Sequence, residues 1–544
     1  MNQVHSRLTF PAVFNGTLGR FRDKNAYAYA GEAPLTWNDV NREVNEVISF
    51  LEKNGIVPGD KVAILSVNMP QWPIAFFGIT FMGAIAVPIL PDFSAKEISN
   101  VLEHSGARAI FVSSGLQSRI EGFSSEDLQL IVSIEDFSVI RSDRKTRPLE
   151  PGSVPAGKYN VEEDDLASII YTSGTTGRSK GVMLTHRSIV FNAIRGGRIQ
   201  PIDETDRFLS VLPLSHSYEN TLGLILPLLY GSSVWYLRKP PTPSVLLPAL
   251  EQVQPTMMLT VPLIIEKIYF NKILPTFRDN KLLSRLYKVP FLRKKLNEAA
   301  GKKLKKTFGG ELKFFGIGGA KLNRTVEKFL REAKFPYAIG YGLTETAPLL
   351  AGANPKATVL ESTGPAIQDI ELKINDPDKM TGEGEIWARG PNVMKGYYRE
   401  PEMTAQVLTP DGWFKTGDLG VFDAGNNLYI KGRLKNMILG SSGENIYPEE
   451  IESIINNFRY VVESVVVEQK GKLVALVHLN MEELEKKYQS FKDDMSVKKE
   501  ELLNEIKTYV NSHVNKFSQI QKVVMHPDPF QKTATLKIKR FLYT

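Results

Sequence analysis

The chain has 544 residues, of which 42% are hydrophobic and 23% charged, and it carries a net charge of +7 with no cysteine at all. At about 150 residues per domain this length predicts three or four structural units, and the composition excludes a disordered chain. The lack of cysteine excludes disulfides, thiolate metal sites and cysteine nucleophiles, so any thiol chemistry must use a thiol brought by a substrate.

The amino terminus has no basic segment followed by a long apolar core, so no secretory signal is expected and the expected location is cytoplasmic. Residues 62–91 carry no charge and exceed the ~20 residues that span a bilayer. Pro70, Pro73, Pro88, Gly78 and Gly83 interrupt them, which predicts a strand at 62–67, a helix from near Pro73 and a strand at 84–90 instead of a membrane span. Further strand-like runs at 109–112, 166–171 and 207–212 alternate with helical stretches, the pattern of parallel sheets covered by helices. Beyond about residue 364, short strands separated by turn signals such as Thr381-Gly382-Glu383-Gly384 and Asp411-Gly412 predict a small β-rich subdomain over 364–432. From 436 a third pattern begins: a helix at 448–458, a strand pair at 461–468 and 472–479 around Gly471, a helix at 498–514 and a strand at 522–526. The predicted fold is α/β. A large N-terminal domain (1–432) of two parallel-type sheets carries the β-rich subdomain, and a small α+β domain (436–544) follows.

The segment Tyr171-Thr172-Ser173-Gly174-Thr175-Thr176-Gly177-Arg178-Ser179-Lys180-Gly181 follows an apolar run. Its glycines let main-chain N–H groups approach an anion, its hydroxyls add neutral donors and Lys180 adds a charge, which suits a polyphosphate; a plain surface loop is the alternative. It is not a Walker loop, because Gly177 is followed by Arg178-Ser179 and the lysine precedes a glycine. Gly316-Ile317-Gly318-Gly319-Ala320 likewise lacks the third glycine of a dinucleotide fingerprint.

The 171–181 segment resembles the signature of the AMP-forming superfamily of acyl- and aryl-CoA synthetases, firefly luciferase and peptide-synthetase adenylation domains. Tyr341-Gly342-Leu343-Thr344-Glu345-Thr346, Asp411-Gly412-Trp413-Phe414-Lys415-Thr416-Gly417-Asp418, Gly432-Arg433-Leu434-Lys435 and Thr533-Ala534-Thr535-Leu536-Lys537-Ile538-Lys539-Arg540 resemble that superfamily's later motifs, in the same order. The resemblance implies an enzyme that joins a carboxylic acid to ATP as an acyl adenylate and passes the acyl group to a thiol. It implies that Thr172, Ser173, Gly174, Thr175, Thr176, Gly177 and Lys180 grip the β- and γ-phosphates. Thr344 then touches the α-phosphate and Glu345 holds Mg²⁺. Gly318, Gly319 and Ala320 form the adenine floor, Tyr341 of Tyr341-Gly342 stacks on the base, and Asp418 with Arg433 meets the ribose. His216 in Leu212-Pro213-Leu214-Ser215-His216 lies beside the carboxylate, and Lys537 bridges carboxylate and phosphate. A mobile C-terminal domain turns about the hinge 433–435 at Lys435, bringing Gly440, Ser441, Ser442, Gly443 and Glu444 to a CoA tunnel. Leu536 stands where many relatives have glycine before the lysine.

Several segments resemble long-chain fatty acid–CoA ligases of bacteria: 261–269, the basic insert that follows it, 441–448 and the Thr535-Leu536-Lys537 ending. The acid expected is a medium- to long-chain fatty acid. An acyl-AMP ligase, a stand-alone enzyme loading a carrier protein, and an aryl-acid CoA ligase are the alternatives. Residues 281–306 hold ten Lys or Arg against one acid, Glu298, which reads as a solvated helix face or as peripheral contact with anionic lipid. No nucleic-acid partner is expected, since zinc-ligand spacing is absent and the basic run has no interleaved aromatic residues apart from Tyr287 and Phe291. Oligomeric state is open between monomer and homodimer.

Overall fold

The computed structural model describes residues 7–142, 148–149, 158–172, 179–439, 445–469, 471–488, 495–533 and 538–543. Two compact units are present. The first comprises 1–372, 388–414 and 426–428, and the second 373–387, 415–425 and 429–544.

Two eight-stranded sheets build the first unit. One runs in the order Gly396–Tyr397, Lys180–Thr185, Leu166–Thr172, Ile85–Ile89, Lys61–Leu65, Ala109–Val112, Leu130–Ser133, Val139–Ser142. Its centre is parallel, as the βα alternation predicts, and its two flanks are antiparallel. The other runs Leu349–Gly352, Tyr337–Gly342, Phe314–Ile317, Met257–Thr260, Arg207–Leu209, Ser233–Tyr236, Asn25–Tyr29, Leu35–Thr36, again parallel inside with an antiparallel strand at each edge. An antiparallel edge strand needs only a hairpin, whereas each parallel neighbour needs a helical crossover.

The uncharged stretch 62–91 folds as read: strand Lys61–Leu65, helix Gln71–Phe81, strand Ile85–Ile89. The helix is apolar on all sides because it is buried on all sides, with Trp72, Ile74, Phe76, Phe77 and Ile79 each at 0% exposure. Among the described residues no helix is long and apolar enough to cross a membrane. The strand expected over 207–212 stops at Leu209. Asn68 intervenes there: its Nδ2 donates to the Ser210 hydroxyl (2.9 Å) and the Leu212 carbonyl (2.6 Å), and its Oδ1 accepts from the Leu214 N–H (2.9 Å). Backbone groups that a sheet ladder would use are thus taken by a side chain, ahead of Pro213.

The second unit carries strands of the small sheet Glu371–Asn375, Gly384–Arg389, Phe414–Phe422, Leu428–Arg433. It also holds an α+β body in which Val461–Gln469 pairs antiparallel with Lys472–Leu479, and the latter pairs parallel with Lys522–Met525. Helices Pro448–Ile455 and Met495–Asn511 cover this sheet, burying Ile451, Ile455, Ile506 and Val510 against Val466, Ala475 and Val477.

Candidate active site

The phosphate-loop candidate is a hairpin connection. Strand Leu166–Thr172 pairs antiparallel with Lys180–Thr185, and Thr172 stands directly opposite Lys180. Ser173, Gly174, Thr175, Thr176 and Gly177 lie outside the described residues. A Walker loop joins a strand to a helix, whereas this connection joins two antiparallel strands. The Lys180 ammonium sits 4.9 Å above the Tyr397 ring. Tyr397 donates its hydroxyl to Glu345 Oε1 at 2.9 Å, and the Met394 N–H donates to the Glu345 carbonyl at 2.8 Å. Two motifs more than 160 residues apart in sequence are therefore joined through one tyrosine that sequence reading missed. The signal for it was weak, an aromatic pair after Gly396 in a strand of two residues.

Thr344 and Glu345 open a short 3₁₀ turn after strand Tyr337–Gly342. Gly342 is obligatory here: a Cβ would lie 1.9 Å from the Pro348 carbonyl oxygen. Two buried asparagines fasten the turn. Asn192 donates to the Thr346 and Leu349 carbonyls (3.3 and 2.7 Å) and accepts from the Leu349 N–H, and Asn392 donates to the same two carbonyls (2.8 and 3.1 Å). Buried amides that satisfy main-chain acceptors in this way hold a loop in one geometry.

His216 caps the three-residue helix Ser217–Glu219, its Nδ1 accepting from the Tyr218 N–H at 3.3 Å. That bond puts the proton of the neutral ring on Nε2. The neighbouring Ser217 hydroxyl donates to Thr344 Oγ1 at 3.3 Å, so the His216 segment and the Thr344 turn meet in the interior. Glu219 is 2% exposed; its Oε1 accepts from the Ser210 hydroxyl at 2.6 Å, while Oε2 makes no hydrogen bond among the described residues. Burial pushes this carboxyl up to about 8. The chain then makes a π-helical turn over Asn220–Ile225.

Gly318 follows strand Phe314–Ile317, its N–H donating to the Thr260 carbonyl at 3.0 Å, and Gly319 takes φ +84°, a backbone state that favours glycine. Ala320 follows, and Tyr341 lies on the adjacent strand Tyr337–Gly342. Beside them runs a narrow apolar slot lined by Leu222, Leu226, Tyr218, Gly316, Gly340 and Gly352 among others.

In the second unit, Asp418 on strand Phe414–Phe422 is 4% exposed and pairs with the Arg433 guanidinium at 2.7 Å. Lys435 is exposed on the turn Leu434–Asn436. Gly440, Ser441, Ser442, Gly443, Glu444 and Lys537 lie outside the described residues. Arg540, three residues beyond Lys537, is held by the fold. Arg540 donates to Glu452 Oε2 at 2.6 Å and to the Val466 carbonyl at 2.9 Å, and its side chain is 18% exposed.

Among the described residues no cluster of three or more His, Asp or Glu could hold a metal ion by itself. A single carboxylate at Glu345 fits Mg²⁺ nonetheless, because that ion is commonly held by one or two carboxylates together with substrate phosphates.

The AMP-binding enzyme family matches residues 14–398. The chain is 28% identical to the chloroplastic long-chain-fatty-acid–[acyl-carrier-protein] ligase AEE15 of Arabidopsis thaliana, over 97% of this chain and 84% of that protein. It is 28% identical to long-chain-fatty-acid–CoA ligase 1 of Saccharomyces cerevisiae, over 79% of this chain and 69% of that protein. Among solved structures, o-succinylbenzoate CoA synthetase of Bacillus subtilis in complex with its acyl-adenylate intermediate superposes with a TM-score of 0.77, at 23% identity and 98% coverage of both chains. The same enzyme has been solved with ATP and a magnesium ion, at a TM-score of 0.76 and 23% identity, covering 97% of this chain and 98% of that one. A matched segment that carries Thr172, Lys180, His216, Thr344, Glu345 and Tyr397 identifies the chain as a member of the AMP-binding enzyme family, the adenylate-forming superfamily.

Proposed function

We propose that the protein activates an apolar carboxylic acid, a medium- to long-chain fatty acid, in two steps. A carboxylate oxygen attacks the α-phosphorus of ATP, forming the acyl–O–P bond and breaking the bond to the β-phosphate, so that pyrophosphate leaves. The sulfur of CoA then attacks the acyl carbon; the C–S bond forms, the C–O bond to AMP breaks and the thiol proton passes to solvent. Two anions meet in the first step, so cations and fixed donors must offset developing charge. Lys180 and the 172–177 donors hold the β- and γ-phosphates, Thr344 meets the α-phosphate and His216 faces the carboxylate. Mg²⁺, when bound at Glu345, supplies further charge neutralisation. Tyr397 fixes the Glu345 carboxylate through its hydroxyl. Asp418 and Arg433 hold the ribose, and Lys537 bridges the reacting anions. For the second step the 436–544 domain turns about Lys435 and presents 440–444 to the pantetheine arm.

The observation that carries the choice of acid is the apolar slot. Gly316 and Gly340 line it, two residues from Gly318 and one from Tyr341, and Tyr218, next to the Ser217 that bonds Thr344, lines it too. An apolar tail in the slot would leave its carboxylate at that turn. A panel of C2 to C20 and aromatic acids, scored for AMP release with and without CoA, tests the reading; no AMP with any acid sinks it. Replacing Leu222 with tryptophan at the slot wall is expected to move the preferred chain length down by several carbons, with turnover of short acids within a few-fold of wild type. An unchanged preference would count against the slot as the acyl site.

A carrier-protein thiol is the second reading of the acceptor, supported by the likeness to the Arabidopsis ligase named for an acyl-carrier protein. AMP release that responds to carrier protein and not to CoA would favour it. A Lys435→Pro variant is expected to form acyl adenylate at near wild-type rate and to lose at least ~10-fold in thioester formation, since proline removes the φ freedom a hinge uses. Equal loss in both half-reactions would remove the hinge role.

A further inference from the structure

Helices Lys281–Tyr287 and Pro290–Thr307 carry the basic run that the proposed reaction does not use. Its charge is largely unneutralised. Arg293 pairs with Glu332 and Glu298 with Lys334, both at 2.9 Å, but Lys281, Arg285, Lys288, Lys294, Lys302 and Lys305 are exposed and form no ion pair among the described residues. At 100° per residue, Phe291, Lys294, Lys295, Lys302, Lys305 and Lys306 fall within about 120° of arc on the longer helix. Asn297, Gly301 and Leu304 are the buried positions to one side of that arc.

Apolar side chains stand among these cations. Leu282 is 66% exposed, Val289 47% and Phe291 64%, with the Lys295 ammonium 4.6 Å over the Phe291 ring. A merely solvated helix face has no use for three large apolar groups in water, whereas a bilayer interface takes both kinds at once: cations at lipid phosphates, apolar groups at the headgroup boundary. A nucleic acid fits less well. Tyr287 stacks on Phe277 at 4.8 Å and donates to Asn297 Oδ1 at 3.1 Å, which withdraws it from base stacking.

We propose that this face docks the protein on an anionic lipid surface, with Lys294, Lys302 and Lys305 at the headgroups and Leu282, Val289 and Phe291 inserted between them. The inference is independent of the proposed reaction, because binding and turnover are read separately. The full chain is mixed with vesicles of phosphatidylcholine alone or with 30% phosphatidylglycerol and sedimented. Expected is at least ~10-fold stronger binding to the anionic vesicles, a loss of at least ~10-fold in a Lys294→Glu/Lys302→Glu/Lys305→Glu variant, and a several-fold loss in Leu282→Ser/Phe291→Ser that persists at high salt. Turnover of a short water-soluble acid stays at the wild-type level in both variants, and matching melting curves show both to be folded. Equal binding of wild type to neutral and anionic vesicles, an unaffected charge-reversal variant, or binding to duplex RNA without binding to vesicles would each overturn the proposal.

Discussion

Replacing Lys537 with alanine is expected to lower acyl-adenylate formation by about 10³-fold while ATP affinity stays within a few-fold of wild type, the pattern of an interaction made mainly in the transition state. Thioester formation from added acyl adenylate should survive, because the thiol step does not bring two anions together. Pyrophosphate release and the adenylate-to-thioester conversion, measured separately, check both halves. A variant within 10-fold of wild type in the first step would remove Lys537 from it.

The described residues on either side of this lysine are fixed by the fold. Lys532 pairs with Ile538 across the intervening segment, and the Lys539 N–H donates to the Gln531 carbonyl at 2.8 Å. Arg540 then anchors the far end on Glu452 and the Val466 carbonyl. Burial raises Glu452 to about 7 even with the guanidinium beside it. Arg540→Met would therefore leave Glu452 to take up a proton, and is expected to cost less adenylation than Lys537→Ala. Unlike Lys537→Ala, it should also lower the melting temperature.

Glu219→Gln is expected to stabilise the protein increasingly as pH rises. The folded carboxyl titrates at about 8 against an ordinary value of 4.5, so between those limits the folded protein holds a proton that the unfolded chain has released. Stability must fall with rising pH across that window, by up to about 5 kcal/mol on ideal linkage. Glutamine keeps the shape of the neutral acid and an oxygen for the Ser210 hydroxyl to bond, but cannot ionise. Urea unfolding at about pH 5 and pH 8.5 should show the variant near wild type at the lower pH and more stable at the higher. An equal difference at both would mean that Glu219 does not titrate in the fold. Because Ser210 also receives Asn68, and Asn68 holds Leu212 and Leu214, Glu219 belongs to the network that sets the course of the chain into His216.

Strands and helices of the first unit were legible wherever local pattern and burial agree. The stretch 62–91 reads correctly because Pro70 and Gly83 stand at the two ends of the helix, although Pro73 and Gly78 lie inside it and Pro88 inside the next strand; strand 109–112 reads correctly because a short apolar run between turns has no other use in a parallel sheet. Strand 207–212 was overextended because the competitor for its backbone groups, Asn68, is more than 140 residues away. The tail of the chain was legible as α+β but not as an anchored structure, since Arg540 gives no local sign that a buried glutamate awaits it.

Among candidate site residues, those proposed for the chemistry of their own type were named from sequence: Lys180, Thr344 and Glu345 by motif, and Asp418 with Arg433, a carboxylate and guanidinium that the fold pairs at 2.7 Å. Those that act by placing others were missed. Tyr397, Asn192, Asn392, Asn68 and Ser217 are ordinary polar residues whose importance lies in a partner far along the chain.

The sequence by itself determined the alternation of strand and helix, the glycine- and hydroxyl-rich connection at 171–181 and the order of the nucleotide motifs, because each is a property of neighbouring residues. Only the tertiary structure decided that this connection is a hairpin, that Tyr397 links Lys180 to Glu345, and that an apolar slot runs beside Gly316 and Gly340. Sheet order and side-chain reach create those relations, and neither is encoded in any short window of sequence.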